Sequence, residues 1–325
     1  MSTSQKYYWD KVKNRNHSNM VPDSFRALIV GKSGCGKTSL LMRMLLEDGL
    51  LDYNKLTIFG RSLHQPEYKI LKAGFENSLA KEHIIKILKH NEMINNLDDK
   101  PENVCCALAS DLDDEEKGDI TIEMHENAED IPDPKSFDAS DKNLIIFDDI
   151  MCDKDQSPAG AFYTRSRHNN IDCIYISQNF YKLPRQTIRA NANYIVLFKF
   201  SPTDVNHVFY DSNAAIDFKD LDTFREFCKK SWDKPYGYIV IDLDNPNIKN
   251  RYRNQLEIIE EEPKSCLKDP EEIVTFEKHV TFEDDKKQPL KQRATKKCEQ
   301  CNMQILSSSF SRHLKSKAHL KKTSK

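Results

Sequence analysis

The sequence is poor in glycine and lacks the long apolar segments of membrane proteins. It has only nine glycines among 325 residues. No run of 18 apolar residues occurs, and the first residues, MSTSQKYYWDKVKNRNHS, contain no signal-peptide apolar core. Such a chain is expected to be neither membrane-spanning nor secreted. With 38% hydrophobic and 31% charged residues, it can form one large domain together with sizeable solvated segments.

Disulfide-type cysteine spacing is also missing. The nine cysteines are odd in number and scattered, apart from Cys298 and Cys301. This distribution indicates an intracellular, reducing compartment, with mostly inert buried thiols and one candidate metal site.

The net charge of −2 hides two segments of opposite sign. Residues 98–141 carry 16 acidic and 3 basic residues, whereas residues 286–325 carry 12 basic residues and a single Glu. The acidic stretch is interpreted as a solvated insertion, with a regulatory role as the alternative. The basic tail is typical of nucleic-acid contact or of nuclear import.

Three of the few glycines, Gly31, Gly34 and Gly36, fall within six residues. They lie between an apolar run, FRALIV, and a helix-forming run, TSLLMRMLLED. The order Gly31-x4-Gly36-Lys37-Thr38 between a strand and a helix is the pattern of a phosphate-binding loop. The alternative is a glycine-rich turn with an incidental Lys-Thr.

A phosphate-binding loop uses its main-chain N–H groups and the N-terminus of the following helix to hold phosphate oxygens. Lys37 would reach the β- and γ-phosphates, and the Thr38 hydroxyl would hold Mg²⁺. The residues predicted to contact the nucleotide are Gly31, Ser33, Gly34, Cys35, Gly36, Lys37, Thr38 and Ser39.

Strands and helices alternate along the chain, which predicts an α/β fold with a mainly parallel sheet and helices on both faces. Most candidate strands are continuous apolar runs, as expected when both faces of a sheet are covered. Candidate strands cover 25–30, 55–60, 143–149, 172–177, 194–200 and 237–243. Candidate helices cover 38–48, 66–90, 157–168, 203–210 and 219–231.

A second motif, Asp148-Asp149, follows the apolar run LIIF. The carboxyl end of a buried strand delivers its last side chains to the crevice where ligands bind in such sheets. Asp148 would hold Mg²⁺ opposite Thr38, and Asp149 would orient and activate the attacking water. A strand that ends in a solvated Asp-Asp turn is the alternative.

The next candidate strand ends in Ser177-Gln178, and Gln178 could contact the γ-phosphate or the attacking water. A satisfied polar pair at the strand end is the alternative. The Asn-Lys-x-Asp tetrad that reads guanine is absent, which favours ATP over GTP. Upstream of this strand, Arg165 and Arg167 end a helix. An arginine that stabilises phosphoryl transfer is often supplied by a neighbouring subunit, and a surface arginine at a helix C-terminus is the alternative.

The runs VPDSFRALIVGKSGCGKTSLLMRML, NLIIFDDI and YTRSRHNNIDCIYISQNFYKLPRQTIRANANYIVLFKF together resemble the viral DNA-packaging ATPases of the FtsK–HerA superfamily. The likeness is to the poxvirus-type packaging ATPases and their relatives in large DNA viruses, adintoviruses and Polinton elements. It covers residues 21–250. The resemblance implies a P-loop NTPase fold of the RecA-like type, in which the Gln178 strand lies between the phosphate-loop strand and the Asp-Asp strand.

The resemblance also implies an ATP-driven homo-oligomeric ring that threads double-stranded DNA into a capsid, with a capsid or portal protein as partner. The setting would be the host nucleus or cytoplasm, and no membrane partner is expected. By the same resemblance Gln178 is the polar sensor and Arg167 the favoured trans-acting arginine, with Arg189 a weaker candidate. Many members have Glu where this chain has Asp149, so the general base is the uncertain part of the site.

Near the C-terminus, Cys298-x2-Cys301-x11-His313-x5-His319 has two thiolates and two imidazoles at nearly the spacing of a tetrahedral zinc site. We expect a small zinc finger that clamps nucleic acid without reading sequence or docks a protein. A chance pattern without metal is the alternative. The predicted organisation is a polar arm (1–20), an ATPase domain (21–250) with the acidic insertion (98–141), a charged linker (251–297), and the finger with its basic tail (298–325).

Three functions compete at this point. The first is an ATP-hydrolysing DNA translocase for genome packaging. The second is a cellular helicase or translocase of the same superfamily. The third is a nucleotide-switched scaffold that binds nucleic acid, which the presence of Asp149 in place of Glu supports.

Overall fold

The structure is a computed structural model that describes residues 15–94, 100–113, 116–152, 155–257, 295–298 and 303–306. The chain divides into two compact units, Met1–Lys268 and Asp269–Lys325. The first unit contains an eight-stranded sheet with the strand order β3-β2-β4-β5-β1-β6-β7-β8. Its strands are β1 (Arg26–Val30), β2 (Lys55–Gly60), β3 (Thr121–His125), β4 (Asn143–Asp148), β5 (Ile171–Ser177), β6 (Tyr194–Phe198), β7 (Tyr238–Asp242) and β8 (Tyr252–Asn254).

The sheet is mostly parallel and has an antiparallel extension on one side. β3, β2, β4, β5, β1 and β6 pair in parallel, whereas β7 runs antiparallel to β6 and to β8. β5 is the central strand between β1 and β4. The predicted placement of the Gln178 strand is therefore confirmed, and the fold is that of an α/β P-loop NTPase.

Helices connect the strands, and they include the regions that the sequence predicts as helical. The first four are α1 (Lys37–Leu46), α2 (Pro66–Glu76), α3 (Lys81–Ile94) and α4 (Pro101–Ser110). The others are α5 (Ser157–Arg165), α6 (Pro202–Asp211), α7 (Ala214–Asp217), α8 (Leu221–Trp232) and α9 (Ile248–Arg251). Local chemistry sets several of their first residues: Pro begins α2, the Ser201 hydroxyl accepts from the Asp204 N–H at 3.3 Å, and the Asp220 carboxylate accepts from the Thr223 N–H at 2.8 Å.

Successive residues of each buried strand face opposite sides of the sheet, as the pleat requires. In β1, Ala27 and Ile29 pack on the side of α1, α2 and α3, and Leu28 and Val30 pack on the side of α5, α6 and α8. Both faces are therefore covered, which explains why these strands read as continuous apolar runs.

Three predicted boundaries differ from the structure. The predicted helix 66–90 is two helices, because the chain turns at Ser78, whose φ is +56°. Residues 98–141 are not simply a solvated insertion, since they contain α4 and the edge strand β3. The first unit also continues past residue 250, because β8 adds to the sheet where a linker was predicted.

The two missed strands have local causes. β3 has only intermediate and exposed residues, and β8 is a three-residue edge strand. Neither strand has a continuous apolar run, so their sequences resemble loops. The thiols follow expectation more closely: Cys105, Cys173 and Cys228 are free and buried. In the described ranges, no helix is both long enough and apolar enough to cross a membrane.

The second unit is described only as a hairpin. β9 (Thr295–Cys298) and β10 (Met303–Leu306) pair antiparallel, with Cys298 opposite Met303. Cys301, His313 and His319 lie outside the described residues, so the zinc finger stays a prediction.

An ionic network closes the amino-terminal edge of the sheet. The Asp172 carboxylate is buried at the start of β5 and accepts a hydrogen bond from the Phe25 N–H at 2.8 Å. It also contacts Arg15 Nη1 and His17 Nε2, each at 2.8 Å. Burial lowers the pKa of Arg15, and the Asp172 charge opposes this shift. The described end of the predicted polar arm is thereby bound to the domain.

Asp172→Ala is expected to lower the free energy of unfolding by about 3–5 kcal/mol, because it leaves the buried Arg15 without its carboxylate partner. Urea denaturation of the full chain measures the loss. Asp172→Asn, which keeps an acceptor for the Phe25 N–H, should lose less. Asp222→Ala removes an exposed ion pair with Arg225 and should cost less than about 1 kcal/mol. Equal losses in Asp172→Ala and Asp222→Ala would contradict the importance of this network.

Candidate nucleotide site

The phosphate-loop motif connects the carboxyl end of β1 to the first turn of α1. Gly34 and Gly36 have φ values of +74° and +102°, in the left-handed region that favours glycine. Gly31 is required for a different reason: a Cβ there would lie against the Cys35 thiol and 2.7 Å from Phe198 Cβ. The three glycines thus form a tight loop whose end is the N-terminus of α1.

The Lys37 side chain reaches back across the phosphate loop. Its ammonium donates hydrogen bonds to the carbonyls of Gly31 at 2.7 Å and Lys32 at 2.8 Å. This places a positive charge at the mouth of the loop, beside the partial positive charge of the helix N-terminus. Cys35 is half-buried, and burial raises the pKa of its thiol, so the thiol stays neutral.

Asp148 is the last residue of β4 and is only 7% exposed. The Tyr68 hydroxyl, on α2, donates to its Oδ2 at 2.6 Å. Burial raises the pKa of Asp148, and the hydrogen bond from Tyr68 opposes that shift. A buried carboxylate of this kind gains from a bound cation, which offsets the cost of its desolvation. Asp148 and Thr38 therefore fit the predicted Mg²⁺ site.

Asp149 turns sharply away from the end of β4. Its φ is +53°, which is uncommon for a residue other than glycine, and its N–H donates to the Ile176 carbonyl at 3.2 Å. Gln178 Nε2 donates to Asp149 Oδ2 at 2.9 Å. The two predicted catalytic side chains are thus in direct contact.

One cleft of about 700 Å³ brings the predicted groups together. The loop, the Asp pair and Gln178 all face it, whereas Gly31 and Cys35 support the loop without lining the cleft. The predicted residues that line it are Ser33, Gly34, Gly36, Lys37, Thr38, Ser39, Asp148, Asp149 and Gln178.

The predicted arginines do not join this cleft within one chain. Arg167 is exposed in the turn that precedes β5, at the amino-terminal edge of the sheet and opposite the loop. Arg165 contacts Asp133 at 3.6 Å. Arg189 is 7% exposed, pairs with Asp211 at 2.5 Å and lies over the Phe180 ring, so the weaker candidate is a structural residue.

Sequence reasoning missed several contributors to the site, among them Tyr68 and Tyr236. Tyr68 lies inside a predicted helix, where nothing in its neighbours signals contact with Asp148. Tyr236 lines the cleft from the segment before β7, and its only signal is an aromatic residue next to Gly237 in a polar turn. Among the described side chains, no group of three or more His, Cys, Asp or Glu could hold a metal ion.

No protein-family model and no curated protein matches the chain. Solved structures give distant likenesses. One is the genome packaging NTPase B204 from Sulfolobus turreted icosahedral virus 2 in complex with AMP, with 11% identity over 71% of this chain and 96% of that chain and a TM-score of 0.42. The same protein in complex with ATP-gammaS gives 13% identity, coverage of 73% and 98%, and a TM-score of 0.42. VirB4 of Thermoanaerobacter pseudethanolicus gives 11% identity, coverage of 73% and 90%, and a TM-score of 0.39. Likenesses this distant carry no functional argument.

Asp148→Asn is expected to raise the free energy of unfolding at pH 7 by about 0.5–2 kcal/mol when nucleotide and Mg²⁺ are absent. Because burial raises the pKa of Asp148, ionisation destabilises the folded chain. This cost is fully present above the folded-state pKa and disappears as the pH falls through it toward the ordinary value of Asp.

Urea denaturation at pH 7 and at about pH 4 measures both effects, since the stability difference between the variant and the wild type should shrink in acid. Asp119→Asn, which neutralises an exposed carboxylate, is the matched control. A stability gain that is absent, or that does not change with pH, would contradict the assignment of a costly buried charge.

Proposed function

We propose that this chain is an ATP-hydrolysing motor that moves double-stranded DNA and packages a viral or virus-like genome into a capsid. The observation that carries the proposal is the convergence of the Lys37 loop, Asp148, Asp149 and Gln178 on one cleft. These groups come from three adjacent strands at one sheet edge, the arrangement expected for a nucleoside triphosphate and its attacking water.

The residues divide the hydrolytic work. The main-chain N–H groups from Ser33 to Ser39 and the Lys37 ammonium hold the triphosphate. Thr38 and Asp148 would hold Mg²⁺, which when bound neutralises charge on the phosphate oxygens. Tyr68 fixes one oxygen of Asp148 and leaves the other for that task.

Asp149 is proposed as the group that orients and deprotonates the attacking water. Its shorter side chain reaches less far than Glu, but its left-handed backbone turns it out of the strand direction. Such strained backbone persists only where the surroundings determine it, and it is concentrated at functional sites. Gln178, bound to the same carboxylate, would sense whether the γ-phosphate is present.

The ring assembly and the grip on DNA are further parts of the proposal. Arg167 is exposed on the edge opposite its own loop, so it could serve only the site of a neighbouring subunit, and this requires heterologous contacts. Lys182 is exposed, and Arg185 is largely exposed although it contacts Asp211 at 3.2 Å. Both lie in the segment between β5 and β6, and they could contact DNA phosphates without reading bases.

We further propose a capsid or portal protein as partner and the virion assembly site, in the host nucleus or cytoplasm, as location. The poxvirus-type and Polinton-like likeness of the motifs supports this setting. A cellular translocase of the same superfamily would share every group in the cleft.

A nucleotide-switched scaffold is the second candidate. Asp149 in place of the usual Glu favours it, because the shorter side chain reaches less far toward the attacking water. In that case nucleotide would bind and turnover would stay negligible even with DNA.

The ATPase rate of the purified chain is expected to rise when linear duplex DNA is added. Lys37→Ala should lower this rate by at least about 100-fold, because the triphosphate loses its cation. Asp149→Asn should lower it by about 10²–10⁴, the usual contribution of a general base. Phosphate release from MgATP, with and without duplex DNA, measures the rates of the wild type and of both variants.

Lys69→Ala, which removes an exposed lysine of α2, is the matched control and should leave the rate unchanged. Nucleotide binding without DNA-stimulated turnover would support the scaffold instead. Separation of a forked duplex would support a helicase and would argue against packaging.

The C-terminal unit is proposed to bind Zn²⁺ through Cys298, Cys301, His313 and His319. A two-stranded hairpin with a Cys at the end of its first strand is compatible with a small finger. Because such a finger has too small a core to fold alone, its folding would depend on the metal. The lysines around it suit phosphate contact.

Zinc removal is expected to unfold the C-terminal unit and to leave the ATPase domain folded. Elemental analysis should find one zinc ion per full-length chain, lost in Cys301→Ala and on chelation, with faster hydrogen exchange in residues 298–319. Cys106→Ala, at an exposed free cysteine, should retain the metal. Equal zinc content in both variants would rule out this ligand set.

A further inference from the structure

The nucleotide cleft has a second wall that triphosphate hydrolysis does not require. Phe198, Tyr236 and Tyr238 line it, and we call these three residues the aromatic wall. Phe198 ends β6, Tyr238 begins β7, and Tyr236 lies just before β7. All three therefore belong to the antiparallel side of the sheet.

The strand order puts this wall on the opposite side of the loop from the hydrolytic groups. β4 and β5, which carry Asp149 and Gln178, lie on one side of β1, and β6 and β7 lie on the other. A triphosphate whose γ-phosphate faces Asp149 points its ribose and base away from β4. The base end of the nucleotide is then directed toward the aromatic wall.

Tyr236 is held beside the loop instead of in the core. Its ring is 71% exposed, and its Cδ1 lies 3.3 Å from the position that a Cβ on Gly36 would occupy. Its φ of +57° is an outlier for a bulky residue. The next residue, Gly237, is buried with no room for a Cβ because the Ser231 carbonyl would collide with it. The chain thus presents a large apolar ring to solvent next to the phosphate site.

Polar groups accompany this ring. Tyr238 packs against Phe198, with ring centroids 5.1 Å apart. Its buried hydroxyl makes no well-aligned hydrogen bond within the described part of the chain, although the main chain of Leu256 lies near it. Gln255 lines the same cleft, and its N–H donates to the Tyr238 carbonyl at 3.0 Å. The Tyr238 hydroxyl is enclosed, so Gln255 is a polar side chain on this side of the cleft that a ligand could reach.

We propose that the aromatic wall binds the purine base of the nucleotide. The base stacks on Tyr236, and the Gln255 amide faces its polar edge. Flat heterocycles stack well on exposed tyrosine rings, and an amide, which both donates and accepts, matches the mixed donors and acceptors of a purine. This inference rests on the proposed function, since it assumes that the triphosphate occupies the loop.

Calorimetric titration of the full chain with MgATP and with magnesium tripolyphosphate, which has the phosphates but no base, separates the two halves of the site. Tyr236→Asn removes the ring and keeps a residue type that tolerates the left-handed backbone. It should weaken ATP binding about tenfold. Tripolyphosphate binding should be unchanged, and Tyr236→Phe should bind ATP like the wild type.

Two controls separate this inference from the proposed function. Tyr210→Asn, at another exposed tyrosine outside the cleft, should leave both affinities unchanged. Lys37→Ala should weaken both ligands. If Tyr236→Asn binds ATP like the wild type, or if the wild type binds tripolyphosphate as tightly as ATP, the aromatic wall is not the base site while the loop assignment stands. If the wild type binds neither ligand, both the inference and the proposed function are wrong.

Discussion

The pairing of β5 on both of its edges is the constraint on which the nucleotide site depends. The Gly31 N–H donates to the Ser177 carbonyl at 3.1 Å, and the Asp149 N–H donates to the Ile176 carbonyl at 3.2 Å. Two adjacent carbonyls at the end of one strand thus position the start of the phosphate loop and the turn at Asp149. Because Gln178 directly follows Ser177, the end of β5 positions the phosphate loop, Asp149 and Gln178 relative to one another. Their relative positions change little unless β5 itself moves, and its burial on both faces opposes that movement.

The two edges of the sheet use polar groups in opposite ways. At the amino-terminal edge, Arg15 and His17 both contact the buried Asp172 carboxylate. Such closed networks contribute to stability through full satisfaction of buried groups. At the carboxyl edge, the Asp148 carboxylate accepts one hydrogen bond from Tyr68, and burial disfavours its negative charge. A bound cation would therefore stabilise this edge. The buried carboxylate at the structural edge, Asp172, is therefore paired with cations, whereas the one at the expected binding edge, Asp148, is not paired with one among the residues that the structure describes.

Buried strands and the phosphate loop were predictable because each follows from a local rule. Continuous apolar runs mark strands that are covered on both faces. The pattern Gly31-x4-Gly36-Lys37-Thr38 between a strand and a helix is specific to phosphate-binding loops. The position of the Gln178 strand between the phosphate-loop strand and the Asp-Asp strand came from the family resemblance, since the apolar runs alone do not specify neighbours. β3 was missed because none of its residues is buried, and β8 was missed because three residues, Tyr252–Asn254, form no apolar run. The contact of Tyr68 with Asp148 joins residues 80 positions apart in the sequence, and no local pattern encodes it. Arg189 was misread because its partner, Asp211, is likewise distant in sequence.

The division of the sheet into a parallel part and an antiparallel extension also divides the chemistry of the cleft. Phosphates are bound by main-chain N–H groups, so that half of the site needs glycines and a helix N-terminus and leaves little freedom in sequence. The opposite wall uses side chains such as Tyr236 and Tyr238, on segments where the sheet needs only an apolar face or a turn. Changes there could alter which base is accepted without disturbing Lys37 or Asp148. A single chain can in this way keep a common hydrolytic geometry while its nucleotide preference depends on residues that the phosphate-loop motif does not include.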